Sequence, residues 1–169
     1  MISDALRDEI NAQIKYELYS AYMYLAMSAW CSDRNLDGFA RWMRLQAQEE
    51  VAHAMRFYEY LLERGARVEL QAIDEPPKDF AAPLAVMEKS LEHEKFVSSR
   101  IHGLYELAQK EGDYPAQVML QWFITEQVEE ENSIGTIVDR MKMFGSEGPA
   151  LMILDSQLGA RSPGAEDGA

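Results

Sequence analysis

The stretch 43–57, MRLQAQEEVAHAMRF, sets Glu50 and His53 one helical turn apart on a face that is otherwise apolar. Met43, Ala47 and Phe57 share that face at helical spacings from Glu50. A buried carboxylate without a partner lowers stability by several kcal/mol. Glu50 therefore needs a partner inside a hydrophobic core.

Three other predicted helices repeat this pattern. Glu17, Glu94 and Glu130 each lie on the apolar stripe of a different helix, and no Lys or Arg shares those stripes. Taken alone, Glu50-x-x-His53 is more typical of a surface ion pair than of a metal site. The joint pattern gathers four carboxylates and one imidazole in a core, and bound cations are its most economical explanation.

Helical periodicity and capping signals predict the fold. Four segments of similar length carry the periodicity, with Ser3 as an N-cap and Gly65 and Gly112 as C-terminal caps. The predicted helices run from about Ser3 to Trp30, Asp37 to Arg64, Pro83 to Lys110 and Pro115 to Phe144. Equal lengths predict an all-α four-helix bundle formed by residues 1–145 as a single domain.

The segment between the second and third helices, residues 65–82, has no helical period. Fully extended, it spans roughly 59 Å at the rise of an extended chain. One predicted helix is shorter, at roughly 42 Å. The segment can therefore cross the bundle from end to end, which predicts one long crossover and parallel second and third helices.

Two short segments follow the bundle. Residues 146–158 contain the apolar run Ala150–Leu154, which predicts a short fifth helix. Because a four-helix bundle has no further core to receive it, we expect this helix to pack against other subunits. Residues 159–169 are small and polar, and we expect them to form a flexible tail.

The composition is acidic, with 29 Asp and Glu against 16 Lys and Arg, a net charge of −13 and a pI near 4.6. Solubility or cation attraction explains the acidity, and nucleic acid is not an expected partner because phosphate binding needs a basic surface. Cys31 is the only cysteine, which excludes a multi-cysteine metal site within one chain. An acidic N-terminus and the lack of an apolar run of about 18 residues predict a soluble cytoplasmic protein with no membrane partner.

The fourth helix distinguishes this ligand set from the general di-iron bundle pattern. That pattern has two Glu-x-x-His motifs, whereas this chain has one and carries Gln127-Val128-Glu129-Glu130 instead. Oxygen-rich ligation with one imidazole suits iron or manganese better than a closed tetrahedral zinc site. The chain resembles the non-haem bacterial ferritins up to its fifth helix, and the matching residues are Glu17, Tyr24, Glu50, His53, Glu94, Gln127 and Glu130.

The resemblance implies a ligand role for each carboxylate. Glu17, Glu50 and His53 would hold one iron. Glu94 and Glu130 would hold a second iron together with Glu50, which would bridge the two ions.

The resemblance also implies supporting residues. Gln127 would lie close to the second iron. Tyr24 would reach the ligand shell of the first iron as a hydrogen-bond donor or electron source, although a core tyrosine with a satisfied hydroxyl explains it equally well. Glu49, Glu126 and Glu129 would form a third iron site facing the cavity; as a solvated acidic face they would need no function.

The function implied by the resemblance is iron storage with ferroxidase activity. Fe(II) would be oxidised by dioxygen or peroxide and stored as a ferric oxyhydroxide mineral inside a hollow shell of twenty-four identical subunits with octahedral symmetry. Composition alone indicates only that some assembly forms. A storage shell whose iron oxidation is incidental is the alternative within the same family.

Three other classes fit less well. A haem-containing bacterioferritin has a haem-ligating methionine where this chain has Val51, so no haem is expected. A rubrerythrin-like peroxidase needs a cysteine quartet, and Cys31 stands alone. A metal-free helical interaction protein of the long-crossover cytokine type leaves the buried glutamates unexplained.

His93, one residue off the Glu94 stripe, is predicted to be a surface histidine.

Overall fold

The structure, a computed structural model, describes residues 2–162 and contains five α-helices in that range. Their bounds are α1 Asp4–Ser32, α2 Asp37–Glu63, α3 Pro83–Glu111, α4 Tyr114–Phe144 and α5 Gly148–Gly159. The prediction of an all-α four-helix bundle with a short fifth helix is confirmed. None of these helices combines the length and apolar character needed to cross a membrane. Most of the predicted tail lies outside the described residues.

Local sequence explains where the helices begin and end. Ser3 Oγ accepts a hydrogen bond from the main-chain N–H of Leu6 at 3.1 Å and caps the start of α1. Asp113 does the same for Ala116 at the start of α4, at 3.0 Å. Gly112 ends α3 with a φ of 67°, a left-handed conformation that glycine adopts without steric cost.

Contacts between helix ends establish the chain direction. Arg64, just after α2, pairs with Asp113, just before α4, with Nη2 and Oδ2 at 2.8 Å. Ser3, just before α1, donates a hydrogen bond to Glu111 at the end of α3. Because α2 and α3 both end at this side of the bundle, they are parallel, and the segment between them is the predicted long crossover.

The crossover is attached to α1 by side-chain contacts. The Asn11 amide donates to the carbonyl oxygen of Arg67 at 3.1 Å, and its oxygen accepts from the N–H of Glu69 at 2.8 Å. Farther along, the rings of Phe80 and Trp30 meet edge to face with centroids 5.7 Å apart. The two hydrogen bonds satisfy polar groups of a connection that has no regular secondary structure, and the ring contact packs its far end against α1.

Apolar side chains form two clusters at opposite ends of the bundle. The upper cluster includes Met27, Trp30, Phe39, Met87, Ile137 and Met141, and the lower cluster includes Leu6, Phe57, Leu61, Ile101 and Phe123. In the lower cluster, Phe57 and Phe123 stack with ring centroids 4.0 Å apart. The middle of the bundle, between the two clusters, contains buried polar side chains.

Helix α5 docks on its own chain, and the expectation that the bundle has no core left to receive it is wrong. Leu154 and Leu158 are buried in the upper cluster. Asp155 accepts a hydrogen bond from the main-chain N–H of Phe39 at 2.9 Å, at the positively polarised start of α2. Gly38 permits this approach, since a Cβ there would lie 1.7 Å from the carbonyl oxygen of Asp155.

The opposite face of α5 remains exposed. Met152 and Ile153 are 73% and 61% exposed, respectively. The expectation of contacts with other subunits therefore applies to this face of α5 alone.

Candidate metal centre between four helices

A layer of buried polar side chains lies between the upper and lower clusters, and each of α1 to α4 contributes to it. No member is more than 4% exposed. The members are Glu17 from α1, Glu50 and His53 from α2, Glu94 from α3, and Gln127 and Glu130 from α4. The structure therefore brings these six sequence-predicted residues into one polar layer.

His53 belongs to two groups of potential ligand atoms. Glu17, Glu50 and His53 each present one such atom within 4.8 Å of the others, and so do His53, Glu126 and Glu130. Its Nδ1 lies 3.6 Å from Glu50 Oε2, and its Nε2 lies 3.8 Å from Glu126 Oε1. The first group has the same members as the set expected for the first iron. The second group contains Glu130 but adds Glu126.

Glu94 is held by hydrogen-bond donors. The Tyr24 hydroxyl donates to its Oε1 at 2.5 Å, and Gln127 Nε2 donates to its Oε2 at 3.2 Å. The sequence associates Tyr24 with Glu17, whereas the hydroxyl bonds to the ligand expected for the second iron. Two helical turns separate Tyr24 from Glu17 by roughly 10 Å along the axis, and the hydroxyl reaches across to α3 instead.

Two glutamines that were not predicted as site residues orient this layer. Gln13 Nε2 donates to Glu17 Oε1 at 2.8 Å, and Gln46 Nε2 donates to Glu130 Oε2 at 2.7 Å. Each glutamine precedes a stripe glutamate by four residues, Gln13 before Glu17 and Gln46 before Glu50. The repeated spacing of four residues between a glutamine and a glutamate on one helix face is the sequence signal that identifies these two glutamines.

Burial raises the pKa values of three carboxyls in the layer, those of Glu17, Glu50 and Glu94. The pKa of Glu17 rises to about 7, chiefly through desolvation, and a hydrogen bond from Gln13 opposes the rise. The pKa of Glu50 rises well above its ordinary value through desolvation and then through repulsion by Glu94, Glu17 and Glu130. Desolvation also raises the pKa of Glu94. Negative charge in this layer is therefore neutralised by retained protons or by cations that bind.

The layer contains orphaned carboxylate oxygens. No amide, hydroxyl or ring N–H lies within hydrogen-bonding distance of Glu17 Oε2 or of either Glu50 oxygen. A proton retained on Glu50 would bond to Glu17, and it would still leave most of their lone pairs without a donor. Buried acceptors of this kind are rare in folded proteins. Together with the His53 imidazole they fit a divalent iron or manganese ion.

The three glutamates predicted to form a further metal site are not gathered into one group. Both oxygens of Glu49 accept hydrogen bonds from Arg161 Nη2, at 3.0 and 2.8 Å. Glu126 lies beside His53, and Glu129 is half-buried and belongs to neither ligand group within residues 2–162. A third site made of Glu49, Glu126 and Glu129 stays a prediction.

His93 is buried, and the prediction of a surface histidine is wrong. It is 8% exposed, its Nε2 lies 2.6 Å from Ser20 Oγ, and its ring packs against Tyr19 with centroids 5.6 Å apart. Burial lowers its pKa to about 4. One position off the Glu94 stripe still faces α1, because α1 and α3 pack along this side of the bundle.

The fold and the polar layer together define a class of protein. Four-helix bundles with inward carboxylates from all four helices and a Glu-x-x-His motif bind pairs of metal ions. A family model described as a ferritin-like domain matches residues 7–144. The chain belongs to the ferritin family.

Individual relatives extend the similarity over nearly the whole chain. The sequence is 40% identical to a bacterial non-heme ferritin of Bacteroides fragilis (strain 638R) over 161 residues, covering 95% of this chain and 100% of that protein. It is 36% identical to a bacterial non-heme ferritin of Staphylococcus aureus (strain USA300), covering 96% and 98%. The fold is similar to an open pore ferritin from the hyperthermophilic archaeon Archaeoglobus fulgidus, with a TM-score of 0.94, 44% identity and coverage of 96% and 100%.

Proposed function

We propose that this ferritin stores iron and oxidises Fe(II) to Fe(III) with dioxygen or peroxide at the polar layer. The product would accumulate as a ferric oxyhydroxide mineral inside a hollow homo-oligomeric shell, of twenty-four subunits with octahedral symmetry, in the cytoplasm. Family membership supports storage. The observation that carries the oxidation site is the set of orphaned oxygens of Glu17 and Glu50 beside His53, buried between two apolar clusters.

Fe(II) is the substrate, and the layer supplies its ligands. Glu17, Glu50 and His53 bind one ion, and Glu50 bridges to a second ion that Glu94 and Glu130 complete. Two-metal sites hold their ions roughly 3.5–4 Å apart. A bridging role is consistent with Glu50, because desolvation and then repulsion from its carboxylate neighbours raise its pKa, and a shared cation relieves that repulsion.

Electrons and protons balance over two ions. Each Fe(II) gives up one electron, and two ions together reduce one dioxygen to hydrogen peroxide when two protons are taken up. Hydrogen peroxide can accept two further electrons from another pair of Fe(II) ions and, with two more protons, yield two water molecules. The raised pKa values of Glu17 and Glu50 mean that these carboxyls retain protons in the metal-free protein and release them when cations bind.

Tyr24 and Gln127 act on the second ion through Glu94. Burial raises the pKa of Tyr24 well above its ordinary value, so its phenol keeps its proton at neutral pH. The protonated hydroxyl donates to Glu94 and fixes one carboxylate oxygen. Gln127 fixes the other oxygen through its amide. Glu49, Glu126 and Glu129 belong to the proposal as a third iron position, and haem does not.

Rapid-mixing oxidation of anaerobically loaded iron tests the proposal. Fe(II) is added without oxygen, oxygen is then introduced, and the absorbance of ferric species is followed in time. We expect a fast phase that saturates at about two irons per chain, followed by slower mineral growth. Slow uptake without a fast phase would contradict oxidation at this layer.

Three variants give this experiment its controls. Glu50→Ala and His53→Ala should each abolish the fast phase, because each removes a ligand of the first ion. Glu59→Gln should leave it unchanged, since Glu59 is exposed on the same helix. Circular dichroism should show the same helix content in all three variants, which separates loss of ligands from loss of fold.

A further inference from the structure

Arg161 lies two residues beyond α5, and its side chain is only 9% exposed. Its Nη2 donates to both oxygens of Glu49, at 3.0 and 2.8 Å. Its Nη1 donates to Gln46 Oε1, and the guanidinium carbon lies 5.2 Å from the centre of the Trp42 ring. The C-terminal segment therefore delivers a buried cation to the α2 face that carries the metal ligands.

Gln46 connects this cation to the polar layer. Its Oε1 accepts from Arg161, and its Nε2 donates to Glu130 Oε2 at 2.7 Å. An amide has one accepting end and one donating end. Since Arg161 can only donate, it fixes the amide with its N–H₂ directed at Glu130. The opposite orientation would set two acceptors, the amide oxygen and the carboxylate, against each other.

Glu49 is engaged more tightly than a surface glutamate. Both contacts come from Arg161 Nη2, and such charge-assisted hydrogen bonds are roughly twice as strong as those between neutral groups. Burial of the Arg161 side chain reduces screening of these contacts by solvent. A metal ion at Glu49 would lie beside this guanidinium, and repulsion between the two positive charges opposes its binding.

We propose that Arg161 has two effects on metal binding: it positions Glu130 through Gln46, and it keeps Glu49 from binding a third cation. The proposal rests on the proposed function in taking Glu130 as a metal ligand. The third position thus opens only when the C-terminal segment releases Glu49. A purely structural clamp for α5 would change the stability of the chain and leave metal binding unaltered.

Titration of the assembled protein with Co(II) tests both effects without oxidation chemistry. Calorimetry gives the number of ions bound per chain and their affinities. Arg161→Gln should bind one additional Co(II) per chain and should weaken the Glu130-dependent ion by about tenfold, as loss of an outer partner of a ligand does. Arg161→Lys retains the cation and should keep the additional position closed.

The double variant Arg161→Gln, Glu49→Gln assigns the additional ion. It should lose that ion and return to the wild-type number. Arg34→Gln is the matched control, since Arg34 also stacks on a tryptophan, Trp30, at 3.7 Å, away from the layer; its titration should match the wild type. Melting curves of all variants report any change in stability separately.

Two results would overturn the proposal. One is a titration of Arg161→Gln with the wild-type number and affinities, whatever its melting temperature. The other is an additional ion that persists in the double variant. Failure of the proposed function would give a different result. The wild-type protein would then bind no pair of Co(II) ions that is lost in Glu50→Ala. In that case the Glu49-dependent ion in Arg161→Gln still decides the role of Arg161.

Discussion

The polar layer and the lower cluster are equally buried, but they have opposite effects on stability. Leu61, Ile101 and Phe123 in the lower cluster are at most 1% exposed, as are Glu17 and Glu50 in the layer. Burying the apolar side chains stabilises the fold by removing them from water. Burying the carboxylates destabilises it by desolvating charge. The apolar ends of the bundle therefore supply the stability that offsets the cost of its buried carboxylates.

The largest expected effect comes from weakening an end. Leu61→Ala should lower the free energy of unfolding by about 2–5 kcal/mol, because it leaves a cavity in the lower cluster. Denaturant titration of the metal-free protein measures this change. Co(II) binding by the folded variant should be unchanged, since Leu61 lies two helical turns from His53. A loss below about 1 kcal/mol would show that the cluster is not close-packed.

The second effect is a dependence of stability on pH that originates in the layer. The pKa of Glu17 is about 7 in the folded protein and 4.5 as its ordinary value. The folded state therefore holds this proton more tightly than the unfolded state, so stability should fall as pH rises from about 4.5 to 7. The expected loss for this group is on the order of 3 kcal/mol.

Glu17→Gln tests the origin of that dependence. The variant should flatten the pH profile of the unfolding free energy of the metal-free protein, because the amide does not titrate. An unchanged slope between pH 5 and 7 would contradict the assignment of the shift to Glu17.

The third effect is stabilisation by removing a charge. At pH 7, Glu50→Gln should raise the unfolding free energy of the metal-free protein by about 1–3 kcal/mol, because the wild-type carboxyl must take up a proton on folding and the neutral amide need not. Glu59→Gln on the exposed face should change it by less than about 0.5 kcal/mol. A metal-free Glu50→Gln variant that unfolds more easily than the wild type would show that Glu50 stabilises the layer.

The smallest effect concerns a partner of one ligand. Tyr24→Phe removes the hydroxyl that donates to Glu94 and should weaken binding of the second Co(II) by about tenfold. Tyr105→Phe, a partly buried tyrosine against the lower cluster, is the matched control. Equal affinities in the two variants would assign Tyr24 to packing.

The sequence predicts the helices and the polar layer well because both depend on local, periodic signals. Ser3, Pro83 and Gly112 mark helix ends through their own backbone and side-chain chemistry. Glu17 and Glu94 are recognisable because a glutamate interrupts an apolar stripe. These features need no knowledge of which helices are neighbours.

The features that the sequence does not predict depend on contacts between distant parts of the chain. His93 was expected on the surface, and only the packing of α3 against α1 buries it. Docking of α5 depends on Gly38, whose missing side chain gives no signal until the crossing is known. Arg161 belongs to no periodic pattern, so its contact with Glu49 is not predictable from spacing. Helix packing, more than helix formation, limits what this sequence reveals.

Crystals soaked anaerobically with Fe(II) would show directly whether the polar layer binds two iron ions. Anomalous scattering at the iron edge locates the ions independently of any kinetic interpretation. We expect two iron peaks within the polar layer, roughly 3.5–4 Å apart, one bound by Glu17, Glu50 and His53 and the other by Glu50, Glu94 and Glu130. Iron peaks confined to the protein surface, with an empty layer, would contradict this expectation.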